Sequence, residues 1–448
     1  MPTGASAESR ARPTPVALLW CGVIATLAHT LLAIGEFPDG TPVYLTLVAT
    51  ACAAYIVALV LITRSPAQAS RTTWIVLALA LVMRLPPLFP ATGPGSDIFR
   101  YVWDARVQRE GHNPYAVTPA DPGYAAIHTP DTRLMHHTHI PSPYPPAAQL
   151  FFRLVAAVSE SPRAFKAAAA AADLGTCLVL LKVFAATGRP QSLLLIYAWH
   201  PLVALEGARN GHFDAVGALL LVSASFALLK GRAFAATLAF VTAVSLKFLP
   251  AVLAPLFWRR IRVRDAAAGV ALLAALYWPF VGDGVNPIGS LPRVINRYRF
   301  NGPAYEWLSA IVGPWAVAWI AVAAGLIVAA GFRLRGRPDA PAAWGWPMAV
   351  ALALAPLVHP WYLVWFVPFL TTRWTMPLLV WSITILPVYL VWAFPPGSPW
   401  AVPGWLLAIE YGAIAATAIV IWATRGRRPS RRESLPARPE PPSPQGKS

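Results

Sequence analysis

The stretch VYLTLVATACAAYIVALVLIT, residues 43 to 63, carries no charged side chain. A run of that length and character satisfies its backbone as a helix crossing a bilayer. Runs of the same grade stand on either side of it, among them VALLWCGVIATLAHTLLAIG (16 to 35) and WAVAWIAVAAGLIVAAGF (315 to 332). With 57% hydrophobic and 12% charged residues, the 448-residue chain is read as an all-α polytopic integral membrane protein, and a string of soluble domains is excluded. Residues 16 to 35 are too long for a signal peptide and lack a small-residue cleavage site, so a retained helix is expected there. Cys21, Cys52 and Cys177 fall inside apolar runs without metal or redox spacing and read as small buried hydrophobes.

A formal charge of +17 would suit nucleic acid if it lay on one soluble face, but here it lies between spans and at the chain ends. TRSPAQASR (63 to 71), KGR (230 to 232), RRIRVR (259 to 264), RLRGR (333 to 337) and RGRRPSRR (425 to 432) are placed in the cytoplasm by the positive-inside rule. Three crossings before residue 91 then put the loop 91–145 outside. Further spans are expected near 163–186, 191–206, 213–230, 374–394 and 401–423. The apolar run 233–258 lies between two basic clusters and must cross an even number of times, so it reads as a hairpin broken at SLKFLP, with Lys247 at its outer tip. The count comes to about 12–14 transmembrane helices. The organisation expected is a cytoplasmic N-terminus (1–15), a transmembrane domain (16–424) and a disordered, basic, proline-rich cytoplasmic tail (425–448). The setting is the plasma membrane, with both termini inside.

Polar chemistry gathers on the outer side of this scheme. GSDIFRYVWDARVQREGHNPY (95 to 115) reads as a helix from Asp97 to about Arg109 with Ser96 as its N-cap, lying at the membrane surface with its apolar side on the bilayer or the bundle and its carboxylates toward a cavity. Asp97 suits the dipole of a first turn. It also suits a base, because His200, Asn210, His212, Asp214, Lys247, Arg297, Arg299 and His359 are brought to the same face by the topology. A carboxylate among cations at a lipid interface fits a reaction that takes up a proton while an anion departs, as a polyprenyl phosphate would.

The run SDIFRYVWDARVQREGHNPYAVTPADP with YPPAAQLFFRL (144 to 154), WHPLVALEGARNGHFDA (199 to 215), LKFLP and LVHPW resembles the polyprenyl-phosphate-dependent glycosyltransferases of the GT-C superfamily, particularly glycosyltransferase family 87. The resemblance implies a GT-C-type bundle, a lipid-linked sugar donor from the outer leaflet, an acceptor glycolipid or glycan, no metal or other cofactor, and an acid that maps to Asp97. Asp104 remains a possible second acid, since paired acids are common there in the family. Mannose is the sugar the resemblance names first.

The expected reaction is an inverting transfer in which Asp97 takes the acceptor proton. Candidates for holding the donor phosphate are Lys247, His359, Arg209, Arg297 and Arg299. Arg100, Tyr144, His212, Trp361 and Tyr362 are candidates for substrate contact. HHTH (136 to 139) lacks the spacing of a metal motif and reads as a solvated loop. No phosphate-cradling GxxxxGK[ST] or GxGxxG motif is present, which speaks for a lipid-borne donor and against a nucleotide sugar. The rival class is a membrane transporter or flippase of lipid-linked or small polar substrates. A donor-lipid phosphotransferase or polymer ligase is chemically closer.

Overall fold

The computed structural model describes residues 15–425 apart from 36, 65–69, 94–95 and 283. The segment 1–15 and the tail 425–448 therefore fall almost wholly outside the described residues, as does most of TRSPAQASR. The chain opens with α1 (Pro15–Ile34), α2 (Pro42–Arg64) and α3 (Ser70–Arg84), the first two packed side by side. Next come α4 (Asp97–Arg109), α5 (Pro146–Val158) and α6 (Pro162–Ala186). α7 (Asp214–Leu229) packs against both α6 and α8 (Ala233–Leu246). The remainder comprises α9 (Val263–Tyr277), α10 (Leu291–Arg297), α11 (Pro303–Val312), α12 (Pro314–Leu334), α13 (Pro341–Ala353), α14 (Met376–Thr384) and α15 (Gly404–Ala423). Proline opens α2, α5, α6, α11, α12 and α13, where its missing N–H is not needed and its fixed φ suits the first turn.

Seven helical stretches among the described residues are long and apolar enough to cross a bilayer, and three further apolar helices are shorter. Helix α15 buries only 11% of its apolar window within the protein, so its side chains need lipid around them. The chain is an all-α, multi-pass membrane protein. The run 233–258 folds as the expected hairpin: α8 stops at Leu246, Lys247 is extended (φ −159°, ψ 135°), and a 3₁₀ segment, Leu249–Phe257, returns against α8.

One expectation is corrected. The span expected at 191–206 is broken into a 3₁₀ turn (Gln191–Leu194), two single helical turns (Leu195–Ala198 and Pro201–Ala204) and a π turn (Leu205–Arg209). Pro201 has no N–H to donate and drives His200 out of helical geometry, to φ −61° and ψ 121°. His200 is consequently buried, against the Tyr55 ring, and hydrogen-bonded to Ser382 Oγ at 2.9 Å. Gly211, at φ +67°, closes this segment where a Cβ would come within 2.5 Å of Ile98 Cδ1.

Helix α4 begins at Asp97 with Ser96 Oγ accepting from Ile98 N, as expected, and its apolar side rests on the bundle. It is apolar on two sides. Ile98, Tyr101, Val102 and Ala105 join the main core of the bundle. Phe99, Trp103 and Val107 make a second, small core with Val117, Ile127 and Met135 of the loop that follows. An apolar stripe that wide needs two covers, and the loop 112–145 supplies the outer one.

Candidate active site

Four pieces of chain meet at one end of the bundle: the first turn of α4, the π turn with its exit to α7, the tip of the 233–258 hairpin, and the segment 359–365 after α13. Asp97 opens α4 with its side chain 39% exposed, and His212 Nε2 stands 3.9 Å from its Oδ2. The other ring nitrogen, His212 Nδ1, is 2.8 Å from Glu206 Oε2. Glu206 is buried and also accepts hydrogen bonds from the Tyr389 hydroxyl at 2.6 Å and from Asn210 Nδ2 at 3.0 Å. One face of the His212 ring stacks on Trp361 at 4.3 Å, Trp361 stacks in turn on His359 at 4.3 Å, and His359 stacks on Phe300 at 4.7 Å.

Lys247 reaches into the same cluster from the hairpin tip. Its Nζ donates to Asp214 Oδ1 at 2.6 Å and sits 3.5 Å from the centre of the Tyr362 ring, a cation–π contact. Trp365 Nε1 donates to the same Asp214 oxygen at 2.5 Å. Asp214 thus stands between an ammonium and an indole N–H while its Oδ2 has no hydrogen-bond partner.

The two histidines are driven apart electrostatically. Burial opposes charge on His212, but the hydrogen bond and charge of Glu206, with the charges of Asp97 and Asp214, outweigh it and raise the pKa above the ordinary imidazole value. His359, buried and facing the charges of Lys247, His212 and His137, is pushed down to about 3 and is neutral. Burial also lowers the Lys247 pKa, against the pull of Asp214 and Asp97.

Other residues singled out from sequence lie elsewhere or are spent. Asp104 is fully buried; it accepts from Arg100 Nε at 2.8 Å and from Gln149 Nε2 at 2.9 Å, with Ser142 Oγ as a third partner. It holds the loop down and has no opening to a substrate. Arg100 completes the tie through the Ile140 carbonyl at 3.1 Å, so it is a structural contact to the loop. Arg209 pairs with Asp39 at 2.7 Å and lies over the Tyr44 ring. Arg299 closes the end of α10 by donating to the Ile295, Asn296 and Tyr298 carbonyls. Arg297 is exposed. The Tyr144 ring packs among Tyr101, Phe152 and Phe213. Among the described residues no group of three or more His, Cys, Asp or Glu side chains is arranged to hold a metal, His136, His137 and His139 included.

Sequence reasoning passed over Glu206, Tyr389 and Trp365. Glu206 carried a signal, because an acid in the apolar run LVALEGA is expensive unless it is used.

An open acid facing an imidazole, with a lysine close by, at one end of a polytopic helical bundle is an arrangement that a membrane glycosyltransferase can use. Residues 16–262 match the model of the alpha-(1->6)-mannopyranosyltransferase family, described as its N-terminal domain, and the chain belongs to that family. The glycosyltransferase reading of the sequence is thereby borne out, and the chain is a glycosyltransferase. The matched stretch carries Asp97, Glu206, His212 and Lys247, while His359, Trp361 and Tyr362 come from beyond it. No curated protein matches the chain. Among solved structures it is similar to ArnT from Cupriavidus metallidurans bound to undecaprenyl phosphate, with 14% identity, a TM-score of 0.47, and coverage of 80% of this chain and 72% of that one.

Proposed function

We propose that the chain moves a mannosyl group, with inversion, from a polyprenyl-phosphate donor to a hydroxyl of a glycolipid or glycan acceptor at the external face of the plasma membrane. The observation that carries the chemistry is the placing of Asp97: a half-open carboxylate at the head of α4, opposite His212 and within the electrostatic reach of Lys247. Asp97 accepts the proton of the acceptor hydroxyl as that oxygen attacks the anomeric carbon. The bond from that carbon to the phosphate oxygen breaks, and its electron pair leaves with the lipid phosphate.

The departing charge needs fixed positive partners. His212 and Lys247 stand beside Asp97 and serve that need without a metal. The guanidinium groups of Arg209 and Arg299 are already engaged, and Arg297 lies exposed on α10. Tyr362, partly exposed beside Lys247, is an aromatic contact for the sugar or the first isoprene units, whereas Trp361, sandwiched between His212 and His359, braces the cluster. The basic clusters at the opposite end of the bundle, Arg260 paired with Asp339 and Arg189 bonded to Thr371, support the orientation with the site outward.

The test is transfer from radiolabelled polyprenyl-phosphate mannose into a membrane lipid extract by purified protein, with Asp97→Asn alongside. The expected outcome is labelled product from the wild type, and donor binding without product from the variant. Equal turnover by the two would remove Asp97 from the chemistry.

A further inference from the structure

The transfer just described leaves Glu206 without a task, although its setting is costly. Its side chain is 1% exposed, and among the described residues its ion-pair partner is His212 alone. A carboxylate buried among apolar side chains calls for compensating charge as well as hydrogen bonds. Tyr389 and Asn210 supply neutral bonds, so the charge must come from the imidazole. The ring is also fixed in space: Trp361 sets its plane, and Glu206, by holding Nδ1, sets its rotation within that plane. Nε2 is left pointing toward Asp97. At 3.9 Å this pair lies beyond hydrogen-bond reach, so the Nε2–H is not spent on the base.

We propose that Glu206 is a positioning residue, holding His212 as an imidazolium whose Nε2–H donates a hydrogen bond to a non-bridging oxygen of the departing lipid phosphate. This inference rests on the transfer reading above. The balance is simple. The acceptor proton passes to Asp97, the anomeric carbon exchanges a phosphate oxygen for the acceptor oxygen, and His212 keeps its proton throughout. Three carboxylates influence the ring: Glu206 at Nδ1, Asp97 beside Nε2 and, further off, Asp214. The cation in the cluster is Lys247, bonded to Asp214, while His359 behind Trp361 is neutral. A neutral amide in place of the Glu206 carboxylate removes the largest support for the imidazolium. The limb on which activity falls with rising pH should then move to lower pH.

The experiment uses the full chain in lipid nanodiscs, as wild type, Glu206→Gln and Glu206→Asp. Two quantities are followed against pH: kcat and KM for polyprenyl-phosphate mannose, and the His212 midpoint by ¹⁵N-histidine NMR, assigned with His212→Asn. In Glu206→Gln the midpoint and the alkaline limb of kcat should fall together by about one unit or more. Above both midpoints kcat should drop by about tenfold for each pH unit by which the midpoint falls, up to about a hundredfold, the scale of losing one aligned oxyanion donor. Glu206→Asp should recover most of the pH position. A fall in kcat with both midpoint and limb unmoved would make Glu206 merely structural and overturn the proposal. Should Glu206→Gln fail to fold, the wild type decides, since a His212 midpoint at or below about 6.5 refutes the imidazolium. If the wild type transfers nothing, the transfer reading falls, and the NMR midpoint alone still judges the link between Glu206 and His212.

Discussion

Replacing Asp104 by Asn should damage the fold before it touches the chemistry. Asp104 is fully buried and its partner Arg100 has a side chain only 7% exposed, so loss of the negative charge leaves a guanidinium sealed from water without its counter-ion. Breaking a buried pair from one side costs about 3–5 kcal/mol. The amide also turns an N–H₂ toward Ser142 or Gln149, where Gln149 Nε2 is already a donor. The assay is thermal unfolding in detergent followed by tryptophan emission, with transfer measured per folded molecule at a temperature where both proteins are intact. Asp104→Asn should melt several degrees lower and keep most of its turnover. The double variant Arg100→Met/Asp104→Leu should recover most of the loss, because removing both charges removes the desolvation cost with them. Native melting of Asp104→Asn with abolished transfer would refute this reasoning and give Asp104 the role of base.

Lys247→Met should weaken donor binding by about tenfold or more, the scale of one charge-assisted hydrogen bond. Adding Asp214→Asn separates two causes: a rise in donor KM that persists in the double variant marks a phosphate contact, and a KM that returns to normal marks Lys247 as a counter-ion to Asp214 alone. Gly217→Ala, whose new Cβ would stand 2.1 Å from the Trp365 ring, should cost about 1–3 kcal/mol in a melting experiment. Gly412→Ala on α15, with open space around it, should melt at or slightly above the wild type, because alanine is the better helix former.

The spans that are apolar throughout were legible, and α6, α7 and α15 begin within a few residues of where hydropathy puts them. Ser96 announced α4 because a cap is a local device that needs no tertiary partner. What could not be read was anything set by packing. Hydropathy is blind to the break at His200, since the pieces on either side are as apolar as an unbroken span. The burial of α4 on two sides was open to reading, with Phe99, Trp103 and Val107 opposite Ile98, Val102 and Ala105, but the loop that covers it carries no periodic signal. The site itself was half visible. Asp97, His212, Lys247 and His359 stood out by type, whereas the partnership of Glu206 with Tyr389 spans 183 residues of sequence and exists only in three dimensions.

The small outer core of Phe99, Trp103, Val107, Val117, Ile127 and Met135 differs in kind from the bundle it caps. Between helices in lipid, cohesion comes from close packing, because hydrocarbon surrounds them whether or not they associate. Beneath the polar loop, cohesion comes from keeping apolar side chains out of water, and urea or cold erodes that force. The acid proposed as base thus belongs to the water-stabilised part of a lipid-stabilised protein. Mild denaturant should silence such an enzyme by loosening the cap over α4 while every membrane span remains in place.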